Sequence, residues 1–231
     1  MNILTKVNEK AGAWYPYSVS KLDEYIGKVI CSEQGYEHYY ALRRNIVYNL
    51  QYMEFQDRVL QDLKLSSVIK VQTIKTMILI GCGIIESILH FLLIKTKIHS
   101  SSEWRKKTEF KGNQKKLDGK FVRIDTIIYE KLESEELKHM TFDAMIKCAK
   151  SHNVLGKNKE MYEKLETLRV IRNKVHLQVI NNPTDTDWNT FRFNDLSNMF
   201  KVLFSILVSS LFSPNDNESM LFEYMRRNIV T

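Results

Sequence analysis

Turn-forming residues are scarce in this sequence of 231 residues, which has only 8 glycines and 3 prolines. Folds made of many short strands need frequent tight turns, and these are usually built with glycine, proline and asparagine. Leucine, lysine and glutamate, which favour helices, are frequent. The composition therefore predicts a mostly α fold of long helices, and it disfavours a β-sandwich or β-barrel.

Cysteine is also sparse, and Cys31, Cys82 and Cys148 are far apart in the sequence. Their spacing matches neither a disulfide framework nor a paired-cysteine zinc motif. No glycine-rich phosphate loop or dinucleotide fingerprint occurs either, so we expect no cofactor. The first residues lack the unbroken apolar segment of a signal peptide, and we expect a cytoplasmic protein.

Acidic residues are outnumbered, because 34 lysines and arginines against 27 aspartates and glutamates give a formal charge of +7. An excess of this size permits binding to a polyanion such as nucleic acid. It is also compatible with a basic surface that is only solvated. Composition alone leaves both interpretations open.

Only one long hydrophobic run occurs, at 77–94, and Glu86, Ser87 and His90 interrupt it. Glu86 and His90 are four residues apart and therefore share one face of a helix. Ionisable groups near the middle of a bilayer are costly, so the run predicts a core helix with one polar stripe rather than a membrane span. The spacing would also suit two metal ligands, but no third ligand lies nearby in the sequence, and we expect no metal site.

Periodicity predicts a chain of helices interrupted once. We expect an N-terminal helical extension over 1–66, a main helical domain over 67–213 and a C-terminal helical tail over 214–231. Within these parts the apolar spacing and the capping residues predict helices near 20–30, 36–64, 68–97, 141–152, 159–179, 193–212 and 218–228.

The interruption is a basic segment between Glu103 and Asp125, with a turn dipeptide at Asp118-Gly119. Strand-like stretches at 103–110 and 120–128 flank it and predict a small β-hairpin insertion. Its cations could follow a nucleic-acid backbone while Trp104 and Phe110 stack on bases, although a merely solvated hairpin is the alternative. The candidate nucleic-acid-binding residues are Arg105, Lys106, Lys107, Lys111, Lys115 and Lys116.

The most functional-looking residues lie in the predicted helix 159–179. At 100° per residue, an apolar stripe of Leu168, Ile171, Val175 and Val179 faces the core. A polar set lies beside this stripe, within an arc of about 100°. Its members are Arg169, Arg172, Asn173 and His176.

These four residue types have a shared chemical logic. Arginine binds phosphate oxygens through two parallel hydrogen bonds, and histidine exchanges a proton near neutral pH. Asparagine can orient a hydroxyl group or the imidazole. Together they could cleave RNA without a metal ion, although arginine and histidine near a helix end also stabilise the helix itself.

The segment 165–176, Leu-Glu-Thr-Leu-Arg-Val-Ile-Arg-Asn-Lys-Val-His, resembles the signature helix of the HEPN superfamily. These are α-helical, often homodimeric proteins of microbial defence and toxin–antitoxin systems. The resemblance implies a HEPN-type helical bundle and a metal-independent endoribonuclease that acts by 2′-hydroxyl transesterification at the dimer interface. It also implies RNA as substrate and an antitoxin or other defence protein as a possible partner, while the interrupted hydrophobic run at 77–94 is the reason that we expect no membrane.

The family motif has an arginine, four to six residues and a histidine, and usually a polar residue follows the arginine. Arg169 is separated from His176 by six residues, but Val170 follows it. Arg172 is followed by Asn173, but only three residues separate it from His176. Either arginine can therefore be the catalytic one. Glu86 is expected either to orient one of these motif side chains or to form only a salt bridge in the core. The alternative function of the protein is a catalytically inactive module that binds RNA, nucleotide or a protein partner.

Overall fold

The computed structural model describes residues 17–33, 36–176, 178, 180 and 182–229. The described chain is mostly helical with one β-ribbon, as the composition and the hairpin signals predict. The helices are α1 (Val19–Gly27), α2 (Tyr39–Asp62), α3 (Ser67–Lys95), α4 (Phe142–Ser151), α5 (Lys159–Asn173), α6 (Asp187–Thr190), α7 (Phe193–Leu207), α8 (Asp216–Ser219) and α9 (Glu223–Arg227), with a 3₁₀ turn at Met220–Phe222. The strands are β1 (Ser101–Phe110), β2 (Lys115–Leu117), β3 (Lys120–Val122) and β4 (Thr126–Leu137).

Helix α3 is the central element, and α2, α4, α5, α6 and α7 all pack against it. It is long and apolar enough to cross a membrane by length and composition, with a mean hydropathy of 2.3 in its most apolar window. That window is 67% buried inside the protein. The predicted core helix thus packs as a core helix does, because helices surround it and bury most of its apolar surface.

The N-terminal helices join the same hydrophobic core as the rest of the chain. The Tyr25 ring of α1 stacks on Phe212 with 5.4 Å between ring centroids, and its hydroxyl donates a hydrogen bond to the carbonyl of Leu207. Ser18 caps α1 by accepting a hydrogen bond from the Lys21 amide. The sequence pattern had predicted the cap at Ser20, so the observed cap lies two residues earlier. The helices on either side of residue 66 therefore pack together.

The β-ribbon consists of two antiparallel pairs, β1 with β4 and β2 with β3. Asp118 and Gly119 have φ of 47° and 78°, the left-handed conformation that an Asp-Gly hairpin turn requires. The predicted hairpin is confirmed, but it is larger than expected, because β4 continues to Leu137 instead of ending near residue 128. We call β1 and β4 the ribbon stem and residues 111–125 the distal hairpin.

Candidate functional site

Helix α5 carries the candidate motif and is anchored by one apolar face. Asn158 caps it by accepting a hydrogen bond from the Glu160 amide. Leu165, Leu168 and Ile171 are buried against the core, as the predicted stripe requires. On the opposite face of the helix, Val170 and Asn173 are exposed to solvent. The motif residues therefore lie between the buried face of α5 and solvent.

The helix is shorter than predicted. It ends at Asn173, and Lys174 begins a turn in which the Val175 amide donates to the Arg172 carbonyl. The prediction of helix through 179 is therefore wrong for 174–176, and Leu177 and Val179 lie outside the described residues. β-Branched residues and the following Asn-Pro lower helix propensity here, so the expected stripe does not extend beyond Ile171 on the helix.

His176 consequently lies past the end of α5 and is exposed. The regular helical spacing that placed it in one arc with Arg169, Arg172 and Asn173 does not apply to it. The imidazole instead belongs to the turn that follows the helix. Asn173, the last helical residue, is also exposed, so both side chains face solvent at the same end of α5.

Arg172 is held by a carboxylate from the central helix. Its Nη2 donates to Oε2 of Glu86 at 3.1 Å, and the two side chains are 39% and 24% exposed. The sequence predicted that Glu86 needs a cation because a half-buried carboxylate requires one. The structure supplies Arg172 as that cation and joins α3 to the motif end of α5.

Arg169 is held by a second acidic residue, Asp143 in the first turn of α4. The Arg169 Nε lies 3.2 Å from Oδ1 of Asp143, an ion-pair contact without hydrogen-bond alignment. Lys147 bonds the other oxygen of Asp143 at 2.7 Å. Lys147 first and Arg169 second lower the pKa of Asp143, so this carboxylate stays ionised. Sequence reasoning missed Asp143, whose place two residues after Thr141 indicated only a helix cap.

A thiol lies beneath the motif but cannot act as a nucleophile. Burial raises the pKa of Cys82 to about 12, so the sulfur stays protonated near neutral pH. Its Sγ lies 4.0 Å from the Leu168 carbonyl, within the core. The motif residues that can exchange protons or hold a phosphate at this end of α5 are therefore Arg169, Arg172, Asn173 and His176, and the exposed Lys174 is a further cation in the same turn.

Glu86 and His90, whose spacing would also suit two metal ligands, have different partners in the structure. Glu86 bonds Arg172, while Nδ1 of His90 lies 3.1 Å from Nε2 of His99. Burial first, then His99 and His139, lower the pKa of His90. Within the described part of the chain, no group of three histidines, cysteines or carboxylates has the geometry to hold a metal ion.

The ribbon separates the predicted nucleic-acid-binding residues into two groups. In the stem, Arg105 Nη2 lies 3.1 Å from Glu130, Lys107 Nζ lies 3.3 Å from the same carboxylate, and Lys106 pairs with Glu109. In the distal hairpin, the ammonium groups of the remaining candidates form no ion pair with any described carboxylate. These are Lys111, Lys115 and Lys116.

Comparison of this chain with protein-family models, with curated proteins and with solved structures finds no match in any of the three.

Proposed function

We propose that this protein is a HEPN-type, metal-independent endoribonuclease of microbial defence or of a toxin–antitoxin pair. The observation that carries the proposal is the clustering at one end of α5. Arg169 and Arg172 are each oriented by a carboxylate from another helix, and Asn173 and His176 are exposed at the C-terminal end of the same helix and in the turn that follows it. A phosphate-binding fork and a proton acceptor at one solvent-facing end are what the chemistry needs.

In the proposed reaction the His176 imidazole removes the proton from an RNA 2′-hydroxyl. The 2′-oxygen then attacks the adjacent phosphorus, the bond to the 5′-oxygen breaks, the leaving oxygen takes up a proton from water, and His176 later returns its own proton to water. The products are a 2′,3′-cyclic phosphate and a 5′-hydroxyl. Arg172 or Arg169 stabilises the charge that develops on the non-bridging oxygens.

The proposal includes a homodimer, in which two copies of the motif end of α5 face one cleft. The exposure of Asn173 and His176 supports this arrangement, because both side chains are accessible to a second copy and to RNA. The protein partner is proposed to be an antitoxin or another defence protein, and the site of action the cytoplasm.

A second candidate is a catalytically silent HEPN-like module that binds RNA, nucleotide or a protein. One specific observation favours it: both guanidinium groups are already paired with carboxylates. A paired arginine must exchange its carboxylate for phosphate before it can act, and this exchange offsets part of the gain from binding.

The test is cleavage of a mixed RNA pool by purified protein in EDTA, with Arg169→Ala, Arg172→Ala and His176→Ala in parallel. Lys174→Ala is the matched control, because Lys174 is exposed in the same turn but is not part of the motif. We expect His176→Ala and one arginine variant to lose at least about 100-fold in rate. We also expect the ends to be cyclic phosphates.

Two outcomes decide against catalysis. Equal cleavage by wild type and His176→Ala would show that the activity belongs to a contaminant or to another site. No cleavage by a well-folded dimer, together with RNA binding that the arginine variants weaken, would establish the binding module instead.

A further inference from the structure

The distal hairpin and the ribbon stem have opposite charge. The distal hairpin carries five cations against two carboxylates, whereas the stem carries four cations against six carboxylates. Stem cations are neutralised across the strands, as the Arg105–Glu130 pair illustrates. The positive charge of the ribbon is therefore concentrated at its far end.

The carboxylates of the distal hairpin leave most of this charge uncompensated. Asp125 is engaged by the Gly112 amide at 3.1 Å and by Arg123 at 2.8 Å. Asp118 occupies the exposed turn. Within the described chain, none of the hairpin lysines lies within ion-pair distance of a carboxylate. These are Lys111, Lys115, Lys116 and Lys120.

An exposed aromatic ring lies among these lysines. Phe121 is 75% exposed, and its cross-strand partner is Lys116. Residues directly opposite each other in an antiparallel pair project to the same face, so the ring and the ammonium group are neighbours. Lys115 and Lys120 lie on the opposite face of the same two strands, where they add to the local positive potential.

We propose that the distal hairpin is a contact site for single-stranded RNA, with Phe121 stacking on a base and Lys116 beside it holding the backbone phosphate. Lys115, Lys120 and Lys111 supply the surrounding positive field. The proposal rests on RNA as the substrate class of the proposed function. It identifies a second RNA contact site, which is separate from the motif end of α5. It also excludes Arg105, Lys106 and Lys107 from direct contact, because glutamates already neutralise them.

Two features favour a single strand over a nucleic-acid duplex or an anionic membrane. Stacking on Phe121 needs a base that is free of its own stack, which a paired duplex does not offer. An anionic membrane would be approached by the apex of the hairpin, and the carboxylate of Asp118 stands there. Contact along the Lys116–Phe121 face avoids that carboxylate.

The experiment measures the anisotropy of a labelled, mixed-sequence single strand with the full chain at several salt concentrations. The strand is 2′-O-methylated, because it then cannot be cleaved, and stacking and phosphate contacts do not need the 2′-hydroxyl. Binding is thus read independently of catalysis, and a protein without nuclease activity would still give a result.

Two variants and one control separate the contributions. Lys115→Gln/Lys116→Gln/Lys120→Gln is expected to weaken binding at least tenfold and to reduce the slope of log affinity against log salt by at least about 0.7, since Lys116 holds one phosphate and each lost phosphate contact contributes about 0.7. Phe121→Ala is expected to weaken binding at least about fivefold with the slope unchanged, because stacking releases no counterions. The control is Arg105→Gln/Lys106→Gln/Lys107→Gln, for which we expect a change below about threefold.

Three results would overturn the proposal. The first is a stem control that weakens binding as much as the distal variant does. The second is equal affinity for a fully paired RNA duplex. The third is the absence of RNA binding, with binding instead to vesicles of phosphatidylcholine and phosphatidylserine that Phe121→Ala abolishes.

Discussion

Arg172 and Glu86 join the motif end of α5 to the central helix α3 through a hydrogen bond of 3.1 Å. The two residues are 86 positions apart in the sequence. Because α3 is clamped by surrounding helices, the carboxylate is a fixed point against which the guanidinium is oriented. The pair therefore links the central helix of the fold to the candidate site.

Removing the carboxylate charge should disturb the position of Arg172 more than the stability of the fold. For Glu86→Gln we expect kcat for RNA cleavage to fall about tenfold or more with little change in KM, because a misplaced group costs transition-state stabilisation. Since the pair is partly exposed, a double-mutant cycle with Arg172→Ala should give a coupling of only about 0.5–1 kcal/mol in urea unfolding.

Glu166→Gln is the control for this prediction, because Glu166 of α5 pairs with Lys150 of α4 at 2.8 Å, whereas the motif arginines pair with Asp143 and Glu86. If Glu86→Gln cleaved RNA as fast as wild type, the Glu86–Arg172 contact would be only a salt bridge of the core, without a role in cleavage.

Two glycines of α3 should respond in opposite ways to alanine. A Cβ at Gly81 would lie 2.0 Å from the Sδ of the fully buried Met199, so Gly81→Ala should destabilise by about 1–3 kcal/mol through overpacking. A Cβ at Gly83 would meet nothing within 4 Å, so Gly83→Ala should stabilise by about 0.5–1 kcal/mol through helix propensity. Thermal unfolding of both variants tests this, and shifts of equal sign would contradict the helix packing.

The contribution of His90 to stability should fall as the pH drops below about 6.5, the pKa of a histidine in the unfolded chain. Burial first and His99 second lower the pKa of His90 in the folded state. Below pH 6.5 the unfolded chain therefore binds more protons than the folded one, and the free energy of unfolding decreases until the pH reaches the folded pKa.

His90→Phe should remove this acid sensitivity, since the neighbouring Tyr36 ring lies 5.5 Å away and can pack against another aromatic ring. Urea titrations at several pH values would measure the effect. His38→Gln, at an exposed histidine, should keep the wild-type pH dependence. An acid dependence retained in full by His90→Phe would assign it to another group.

Glu54 should produce the opposite pH dependence. Burial first and Asp57 second raise the pKa of Glu54 to about 8, so the folded state holds a proton that the unfolded chain releases near pH 4.5. Between these values Glu54 binds more protons in the folded chain than in the unfolded one, so its contribution to stability declines as the pH rises.

Glu54→Gln resembles the protonated acid and carries no titratable group. We therefore expect the free energy of unfolding of the variant to be about 1–3 kcal/mol higher than that of wild type at pH 8. At about pH 4.5 we expect little difference between the two proteins. Glu37→Gln, at an exposed glutamate, serves as the control. A difference that does not grow with pH would show that Glu54 titrates normally.

Local signals in the sequence predicted the elements well. The apolar period of 36–64 gave α2, Thr141 caps α4 by accepting from the Ala144 amide, and Asp118-Gly119 forms the hairpin turn. Each of these depends on residues within one or two turns of each other, which is the range over which sequence patterns act. The apolar run at 77–94 likewise identified the helix that the other helices cover.

The C-terminal end of α5, in contrast, was not predicted correctly from the sequence. Periodicity continued through Val175 and Val179 and predicted helix, yet the helix stops at Asn173. Apolar residues at helical spacing show which face can be buried, but they do not show where the neighbouring helices stop covering it. Beyond that point little compensates the weak helix propensity of β-branched residues.

The sequence by itself determined the helical class, the hairpin turn and the residue types at the candidate site. Only the tertiary structure decided which charges remain free. Arg169 meets Asp143 across 26 positions, Arg172 meets Glu86 across 86, and Arg105 meets Glu130 across 25, while the distal lysines meet no carboxylate among the described residues. Charge pairing depends on distances of a few ångströms between elements far apart in the chain, and such distances exist only after the elements have packed.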